Sequence, residues 1–415
     1  MGAPAARVAE LSRLWTEAGH NVTVLTGFPN HPTGCVPVEY RSQLRRLVAR
    51  EQPHGVDVVR TWLLPRPNRK PLERIVNYSS FSCSAATTGM FLSRPDLVIA
   101  TSPQLLVGLS GWWIARCKQV PFILEVRDLW PESLAAVGAS RQNSMLYRAL
   151  GGIAGFLYRR SDHIVVVSPA FRDRLVSDWR VADEKIAVVE NGVDTDLFSP
   201  SAEPADRRSA LHAEGKFIVS YIGTIGMAHG IDTVIEAAEQ VQRTCPQALF
   251  VLVGEGSEKE KIVSTVRSRG LKNVRFLDQQ AREKIPAYIC ASDLCLVPLK
   301  RSSVFETVIP TKLLEFMACA RPVIVGVEGL TRKIVEQASA GLAVEPENAT
   351  ELAQAITRMA AKPALRRELG ANGRRYILQN FTRAEKARTY LALMERLYES
   401  RRMYTVAPAS VTASR

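Results

Sequence analysis

The side chains best suited to chemistry in this 415-residue chain lie between Phe305 and Ala318. The segment follows an apolar run, Leu294 to Leu299, that predicts a buried parallel strand. It then opens a helix with Pro310 near the first turn, where a missing N–H costs nothing. Lys312 places a cation beside the free N–H groups of the helix start, and Glu315 lies about one turn further on.

Groups that donate hydrogen bonds to a phosphate, next to a carboxylate, are typical of a site for a sugar nucleotide. The diphosphate would lie on the helix end and on Lys312, and the ribose hydroxyls would bind Glu315. The alternative is an ordinary amphipathic helix with solvated charges. This segment alone supports the two interpretations about equally.

A glycine-rich loop, Tyr221 to Gly230, follows the first strand of the second predicted domain. Its three glycines let the backbone approach a phosphate, although tight-turn geometry explains such a loop equally well. The functional interpretation gains weight because the loop lies in the same domain as Lys312. A second glycine turn, Val253 to Gly256, also follows a strand, and turns of this kind are more often structural.

Four charged side chains cluster where another buried strand ends, in the segment Glu125 to Ser133. Charged side chains at the carboxyl end of a strand, in a segment where Pro131 ends the regular structure, are hard to explain as part of a hydrophobic core. Two interpretations remain open. One is a functional site, and the other is a structural ion pair between Arg127 and either Asp128 or Glu132.

Asp194 and Asp196 form a D-x-D pair, a pattern that can bind Mg²⁺ or Mn²⁺ in sugar-nucleotide enzymes. The pair lies in a turn that closes the first domain, so turn and cap roles are favoured and metal binding is the minor alternative. The seven cysteines show no C-x-x-C spacing, and the six histidines pair neither with one another nor with cysteine. We therefore predict no metal site, and thiols of this kind are typical of a cytosolic protein.

Apolar strand patterns alternate with helical patterns, which predicts an α/β fold with two doubly wound parallel sheets. We place one Rossmann-like domain at residues 1–200 and a second at residues 201–382. A helix at 383–400 is predicted to pack back on the first domain, and the tail 406–415 is predicted to be disordered. The predicted strands are Val22–Thr26, Val56–Trp62, Leu97–Ala100, Phe122–Val126, His163–Ser168, Ile186–Val189, Phe217–Ile222, Leu249–Val253, Val274–Leu277, Leu294–Leu299, Pro322–Val325 and Leu342–Val344.

The first domain begins without its first strand. Met1 to Arg7 already has the glycine turn and helix that normally follow that strand, and the helix ends at Gly19. We therefore expect the strand to be encoded upstream of Met1.

The formal net charge is +13, and the excess is local. Nine basic residues lie between Arg41 and Arg74, against three acidic ones. Such a patch attracts polyanions or an anionic membrane surface, and a merely solubilising face is the alternative. No segment reaches the roughly 18 uncharged apolar residues of a spanning helix, and the first residues are not the apolar run of a signal peptide.

The order of these motifs along nearly the whole chain resembles the family-4 retaining glycosyltransferases, most closely the subgroup that builds bacterial exopolysaccharide and O-antigen repeat units. The resemblance implies the GT-B fold, in which two Rossmann-like domains face a cleft, with the nucleotide sugar on the C-terminal domain and the acceptor on the N-terminal one. It also implies retention of anomeric configuration, without a metal or another cofactor. The matching motifs are Gly2–Arg7, Thr26–Pro32, Glu125–Ser133, Glu190–Asp194, Gly223–Gly230, Val253–Gly256 and Pro310–Ala318, of which Arg127–Ser133 is the most specific.

The resemblance assigns roles to individual residues. The predicted donor-binding residues are Gly2, Gly223, Thr224, Gly226, His229, Phe276, Lys312 and Glu315. The predicted catalytic residues are Asp128, Lys312 and Glu306, and the predicted acceptor-binding residues are His31, Arg127 and Glu132.

Two features depart from the family's pattern. Where the family carries the first of two spaced glutamates, this chain has Thr307, so Glu306, one place away, is the candidate for that role. The basic pair of the family's first glycine loop is replaced by Thr224 and His229. Positive charge for the phosphates must then come from Lys312 and from helix N-termini, with Lys300 or Arg301 as further candidates.

The implied function is transfer of a sugar from a nucleoside-diphosphate sugar to a saccharide or polyprenyl-diphosphate-linked acceptor in cell-surface polysaccharide synthesis. The basic stretch predicts an anionic membrane surface as a further partner, and nucleic acid is not a predicted partner. The predicted location is cytoplasmic, peripheral on the inner face of the plasma membrane. The alternatives are a sugar-nucleotide epimerase with the same fold and a non-catalytic nucleotide-sugar-binding protein inactivated by N-terminal truncation. A periplasmic two-lobed binding protein fits poorly without a signal peptide.

Overall fold

The computed structural model describes residues 3–30, 34–66, 71–102, 104–133, 144–200, 208–209, 211 and 213–406. The chain divides into two compact units. The N-terminal unit comprises Leu11–Val189 and Glu385–Arg415, and the C-terminal unit comprises Met1–Glu10 and Glu190–Ala384. Helices alternate with mostly parallel strands in both units, so the α/β class predicted from the sequence is confirmed.

The N-terminal unit carries strands β1 (Thr23–Gly27), β2 (Val48–Glu51), β3 (Asp57–Thr61), β4 (Val98–Thr101), β5 (Phe122–Val126), β6 (His163–Val166) and β7 (Ile186–Val188). Its helices are α1 (Ala3–Glu17, which begins in the C-terminal unit), α2 (Val38–Leu44), α3 (Pro71–Phe91), α4 (Leu105–Lys118), α5 (Met145–Arg160) and α6 (Pro169–Ser177). Every position of β5 is buried, including Glu125, and the other four residues are apolar, as is typical of a strand covered on both faces.

The strands of this unit form two separate sheets, ordered β1-β3-β2 and β4-β5-β6-β7. All pairs are parallel except β2 with β3. Among the described strands, β1 pairs with β3 and β4 pairs with β5, and no ladder joins the two sheets.

The C-terminal unit carries strands β8 (Phe217–Ile222), β9 (Ala248–Val253), β10 (Val274–Leu277), β11 (Leu294–Pro298), β12 (Val323–Gly326) and β13 (Gly341–Ala343). Its helices are α7 (Ile231–Thr244), α8 (Lys259–Ser268), α9 (Ile285–Ala291), α10 (Thr311–Ala318), α11 (Leu330–Ala338), α12 (Ala349–Ala360) and α13 (Pro363–Asn380). The strands form one parallel sheet in the order β10-β9-β8-β11-β12-β13, the order of a dinucleotide-binding sheet. Strands β8, β9 and β11 are buried at every position, as their apolar sequences predict.

The predicted strands are all present, with ends shifted by at most two residues. Strand β2 was not predicted. It carries only two apolar residues, Val48 and Ala49, and it lies at the edge of its sheet, where one side of the strand stays open to solvent. An edge strand of this kind has no long apolar run to mark it.

The last helix, α14 (Arg383–Val406), contributes to the core of the N-terminal unit from Glu385 onward. The indole N–H of Trp15 donates to the carbonyl of Ala387 at 3.0 Å, and the ring of Trp15 meets that of Tyr390 edge-on at 5.3 Å. The predicted helix 383–400 lies within α14, whereas the predicted tail 406–415 lies outside the described residues apart from Val406. No helix in the described part of the chain is both long and apolar enough to cross a bilayer.

Candidate functional site

Two loops meet at the carboxyl edge of the sheet in the C-terminal unit. The loop Gly223–Gly230 follows β8, and a segment containing the short 3₁₀ turn Phe305–Thr307 follows β11 and leads into α10. Strands β8 and β11 are hydrogen-bonded neighbours at the point where the strand order reverses, so their loops flank the switch point of the sheet. This is the position at which open α/β sheets bind ligands.

Helix α10 begins beside the β8 loop, with Lys312 of its first turn against Gly223. Pro310 occupies the N-cap, one residue before the first helical residue, and no side chain caps the free N–H groups. The following helix is buried along Leu313, Leu314 and Phe316, so its position is set by the core. The helix end therefore supplies unused donors and a positive dipole at a rigid site.

Lys312 lies on the first turn of α10 and points at the strand below the glycine loop. Its ammonium Nζ donates to the hydroxyl of Tyr221 at 2.7 Å and lies 4.0 Å from the centre of the Tyr221 ring. The Tyr221 hydroxyl in turn donates to the carbonyl of Thr224, which ties the lysine to the loop. Burial lowers the pKa of Lys312 to about 7, and the Glu315 carboxylate opposes that shift.

Gly223 is required for this close approach. Its φ is +148°, a backbone conformation that favours glycine, and a Cβ atom there would lie 2.8 Å from Lys312 Nζ. A larger residue would push the ammonium away from the loop. Thr224 and Gly226 complete the turn, and the backbone N–H of His229 donates to the carbonyl of Gly226 at 3.0 Å.

His229 does not replace the lysine that the family carries in this loop. Burial, followed by the nearby Lys312 charge, lowers the pKa of His229 to about 3. The imidazole is therefore neutral at physiological pH, and its Nδ1 has no hydrogen-bond partner among the described residues. Because His229 is neutral, Lys312 stays the predicted phosphate ligand beside this loop.

The second glycine turn, Val253 to Gly256, is hydrogen-bonded to the backbone of the first glycine loop. The N–H of Gly223 donates to the carbonyl of Val253, and the N–H of Ile225 donates to that of Glu255, both at 2.9 Å. A Cβ atom on Gly254 would overlap the carbonyl oxygen of Gly223. The structural interpretation of this turn is the one that the contacts favour.

We expect Gly254→Ala to destabilise the C-terminal unit by about 3 kcal/mol, because backbone rather than a movable side chain meets the new methyl group. The matched control is Gly270→Ala, which also has a positive φ but nothing within 4 Å of its Cβ position. That variant should cost only about 1–2 kcal/mol. Urea denaturation of both variants measures the difference, and equal costs would show that the turn tolerates a side chain.

Glu315 lies on α10 with its side chain 12% exposed. Its Oε1 accepts from Nη1 of Arg282 at 3.0 Å, and Arg282 also contacts Glu10. Burial raises the pKa of Glu315, and the Arg282 guanidinium opposes that shift. The sequence analysis selected Glu315 but missed Arg282, Glu10 and Arg383, because no local pattern connects residues so far apart in the chain.

The turn before α10 distinguishes the two candidates for the first glutamate position. Glu306 is exposed, whereas Thr307 is buried and its hydroxyl donates to the carbonyl of Val304 at 2.6 Å. A Cβ atom on Gly329 would overlap the Glu306 carbonyl oxygen, so this glycine lets α11 approach the turn.

Phe276 is half-buried in β10 and packs against the core.

Three of the predicted residues lie at the end of β5 in the N-terminal unit. Asp128 lines a small pocket together with Ser102, Leu105 and Tyr158. Burial raises the pKa of Asp128 to about 6, and the nearby Arg127 charge opposes that shift. Arg127 is anchored through its backbone N–H, which donates to the Ser102 hydroxyl at 2.9 Å, and Glu132 Oε2 has no partner among the described residues.

The remaining predictions concern Gly2, His31 and the D-x-D pair Asp194 and Asp196. Gly2 and His31 lie outside the described residues. Asp194 Oδ1 accepts from the backbone N–H groups of Asp196 and Leu197, which is the cap role that the sequence analysis favoured. Among the described residues, no three His, Cys, Asp or Glu side chains are grouped to hold a metal ion.

Two family models together match most of the chain. The "Glycosyl transferase 4-like domain" family matches residues 2–192, and the "Glycosyl transferases group 1" family matches residues 202–376. WcaI of Escherichia coli K12, named as a colanic acid biosynthesis glycosyl transferase, is 25% identical over 82% of this chain and 85% of its own.

Two solved structures show the same fold. Sucrose-phosphate synthase from Thermosynechococcus elongatus superposes with a TM-score of 0.75 and 25% identity, over 96% of this chain and 94% of that one. Anabaena HepE in complex with UDP-glucose has a TM-score of 0.68 and 18% identity, over 91% of this chain and 100% of that one. The epimerase and the non-catalytic binding protein are not favoured by these matches. Since the two matched domains together span most of the sequence, the chain belongs to the glycosyltransferases with the GT-B fold.

Proposed function

We propose that this glycosyltransferase moves a sugar from a nucleoside-diphosphate sugar to a saccharide acceptor in cell-surface polysaccharide synthesis, with retention of anomeric configuration. The observation that supports binding of the sugar-nucleotide donor is the position of Lys312, which lies beside a glycine loop and a free helix N-terminus. This lysine has no carboxylate partner among the described residues. The relation to WcaI supports the polysaccharide setting. The UDP-glucose complex of HepE supports a sugar nucleotide as the donor.

The donor diphosphate lies over Gly223–Gly230 and the start of α10 in this proposal. Lys312 neutralises the charge that grows on the leaving phosphate, the role that a metal plays in other transferases. Glu315 accepts hydrogen bonds from the ribose hydroxyls, the backbone near Phe276 reads the base, and Glu306 contacts the sugar. Adding EDTA is therefore expected to leave the initial rate unchanged.

The acceptor half of the proposal rests on the end of β5. Asp128 orients or deprotonates the acceptor hydroxyl, while Arg127, Glu132 and His31 bind the saccharide or its polyprenyl diphosphate. The hydroxyl attacks from the face that the nucleotide leaves, through an oxocarbenium-like state. A carboxyl group with a raised pKa beside polar neighbours is suited to proton transfer near neutral pH.

Thermal shift with a panel of UDP-, GDP- and dTDP-sugars tests the donor half directly. A ligand at a hundred times its Kd stabilises the protein by about 2.7 kcal/mol, which is a readily measured shift. The stabilising donor is then incubated with polyprenyl-diphosphate-linked saccharides, and the anomeric configuration of the product is read by NMR. A protein that no sugar nucleotide stabilises, or a product of inverted configuration, would count against the proposal.

A basic surface on the N-terminal unit supports a membrane-bound acceptor. The basic residues of α2, of the turn after it and of β2 are exposed, namely Arg41, Arg45, Arg46 and Arg50. Exposed apolar side chains lie among them, with Val38 at 71% and Leu47 at 62%. Arg60 does not belong to this surface, because it pairs with Glu51 at 2.9 Å and stacks on Tyr40. Arg69 and Lys70 lie outside the described residues, as does the side chain of Arg74.

We expect binding to vesicles that contain anionic lipid, and weaker binding at high salt, because each basic residue near such a surface contributes about 1 kcal/mol that salt screens. The double variant Arg45→Gln, Arg46→Gln should lose roughly 30-fold in partitioning. Exposed Arg243 and Arg267, on the C-terminal unit, give a control with the same change in net charge. Cosedimentation measures both variants, and equal binding to neutral vesicles would contradict the proposal.

A further inference from the structure

We propose that Arg282 is a positioning residue for Glu315. Arg282 holds one oxygen of the Glu315 carboxylate, so that the other oxygen faces the ribose of a bound nucleotide. The inference rests on the proposed function of Glu315. Arg282 does not touch the ligand in this arrangement. It determines where the carboxylate that does so is placed.

The contacts of Arg282 define its orientation completely. Nη1 donates to Glu315 Oε1 at 3.0 Å, while Nη2 and Nε donate to Glu10 Oε1 at 2.6 and 3.1 Å. The guanidinium also lies 4.9 Å from the centre of the Phe198 ring. A planar fork with two carboxylates on different edges and a ring against its face has little freedom to rotate. Glu315 is therefore held by a fixed partner rather than by a flexible one.

A further layer fixes Glu10 itself. Glu10 Oε2 accepts from Arg383 Nε at 2.7 Å, so both oxygens of Glu10 are engaged by arginines. Arg383 is 3% exposed, and Glu10, Arg282 and Glu315 have side chains 10–13% exposed. In such an environment water competes weakly, and the geometry is maintained by the pairs themselves.

The ion pair leaves Glu315 able to bind a ligand. A carboxylate has about four acceptor positions, and Arg282 uses one of them. Oε2 of Glu315 makes no hydrogen bond among the described residues. The charged groups around this carboxylate are Arg282, Glu10 and Arg383 on one side and Lys312 on its own helix. An acceptor of this kind, held at one oxygen, suits a pair of neighbouring hydroxyl groups.

A purely structural role for Arg282 is the competing explanation, because breaking a buried ion pair destabilises a protein in any case. The two roles differ in what they predict for ligands. A structural residue affects all nucleotides equally. A positioning residue affects only those that carry the hydroxyl that Glu315 contacts.

The experiment compares a nucleoside diphosphate that the wild-type protein binds with its 2′-deoxy and 3′-deoxy analogues, by isothermal titration calorimetry. The wild type should prefer the full ribose by about tenfold or more, the value of one hydrogen bond to a charged group. In Arg282→Gln and in Glu315→Gln this preference should fall to nearly one. The double variant should lose no more than either single variant, because one interaction is removed in all three.

Arg208→Gln is the matched control. Arg208 pairs with Asp293 at 2.6 Å with side chains 27% and 22% exposed, so it forms a partly buried ion pair in the same unit. Its loss should leave the ribose preference unchanged. If Arg282→Gln does not fold, Arg282→Lys serves instead, since it keeps the charge but cannot reach both carboxylates with a fork, and the preference should still decrease.

The outcomes separate the two proposals. Retention of the wild-type preference in Arg282→Gln or Arg282→Lys, with Glu315→Gln losing it, overturns the role of Arg282 and leaves the proposed function intact. A wild-type protein that binds the diphosphate but does not distinguish its deoxy analogues overturns the ribose assignment of Glu315 and this inference with it. A protein that binds no nucleoside diphosphate overturns the proposed function itself.

Discussion

Replacing Lys312 by alanine is expected to weaken nucleoside diphosphate binding by about tenfold to hundredfold, the effect of losing one hydrogen bond between charged groups. The transfer rate should fall further, because negative charge on the leaving phosphate grows in the transition state. Calorimetry and initial rates with the cognate donor measure the two effects. Exposed Lys333, on the same unit, gives the control variant Lys333→Ala, which should behave as the wild type does.

The effect should depend on pH in a defined direction. Burial lowers the pKa of Lys312 to about 7, so the free protein loses this charge as the pH rises above that value. A bound diphosphate stabilises the charged form, and binding above pH 7 should therefore be accompanied by proton uptake. The affinity should then decrease by up to about tenfold per pH unit. Lys312→Ala provides the baseline that accounts for ionisation of the ligand, and an unchanged pH profile in this variant would exclude Lys312 as the phosphate ligand.

The same shift also affects stability. The pKa of a free lysine, 10.5, is higher than that of Lys312 in the native state, so folding works against the charged form. Burial of the charged ammonium lowers the free energy of unfolding by its full amount below about pH 7, and this loss decreases between pH 7 and 10.5. The volume-preserving variant Lys312→Met should therefore gain stability over the wild type at pH 6 and lose that advantage at pH 10. Thermal melts at the two pH values measure this difference.

The parts of this site that the sequence predicted are those with local patterns. The apolar runs at 217–222 and 294–299 correspond to the buried strands β8 and β11, and the glycines and Pro310 mark the loop and the helix that follow them. Lys312 and Glu315 are three residues apart on one helix, so their proximity needs no knowledge of the fold. Strand periodicity and helix-start chemistry are sufficient to place them.

The parts that could not be predicted depend on tertiary contacts. Glu10 and Arg282 are 272 residues apart, and nothing in either segment indicates that they meet. The same holds for the contact between Lys312 and Tyr221, which crosses from α10 to β8 and which determines how that lysine is held. Arg60 was counted with an exposed basic patch although it is bound to Glu51, because composition does not reveal which charges are paired.

Replacing Asp128 by asparagine is expected to lower the transfer rate by about a hundredfold to ten-thousandfold, the usual effect of removing a group that transfers a proton. In the wild type, kcat/KM should rise as the pH increases through about 6, the pKa to which burial raises this carboxyl group. The variant should lack that step. Exposed Asp96, in the same unit, gives the control Asp96→Asn with the same change in charge. Wild-type rates in Asp128→Asn would exclude the proposed role.

A loss of activity by itself does not show that Asp128 takes part in the reaction, because a structural aspartate would have the same effect. The pKa shift provides the distinction. The native pKa of about 6 is above the ordinary value of 3.8, so ionisation costs stability as the pH rises from 3.8 to 6 and the full cost is present above 6. Asparagine avoids this cost, and Asp128→Asn should therefore be more stable than the wild type at pH 8, by at most about 3 kcal/mol. The gain should vanish below pH 3.8. A protein that keeps a charged group at a cost in stability, and loses its activity when that cost is removed, uses the group for function. A variant that is both inactive and less stable at pH 8 would instead indicate that Asp128 holds the loop after β5 in place.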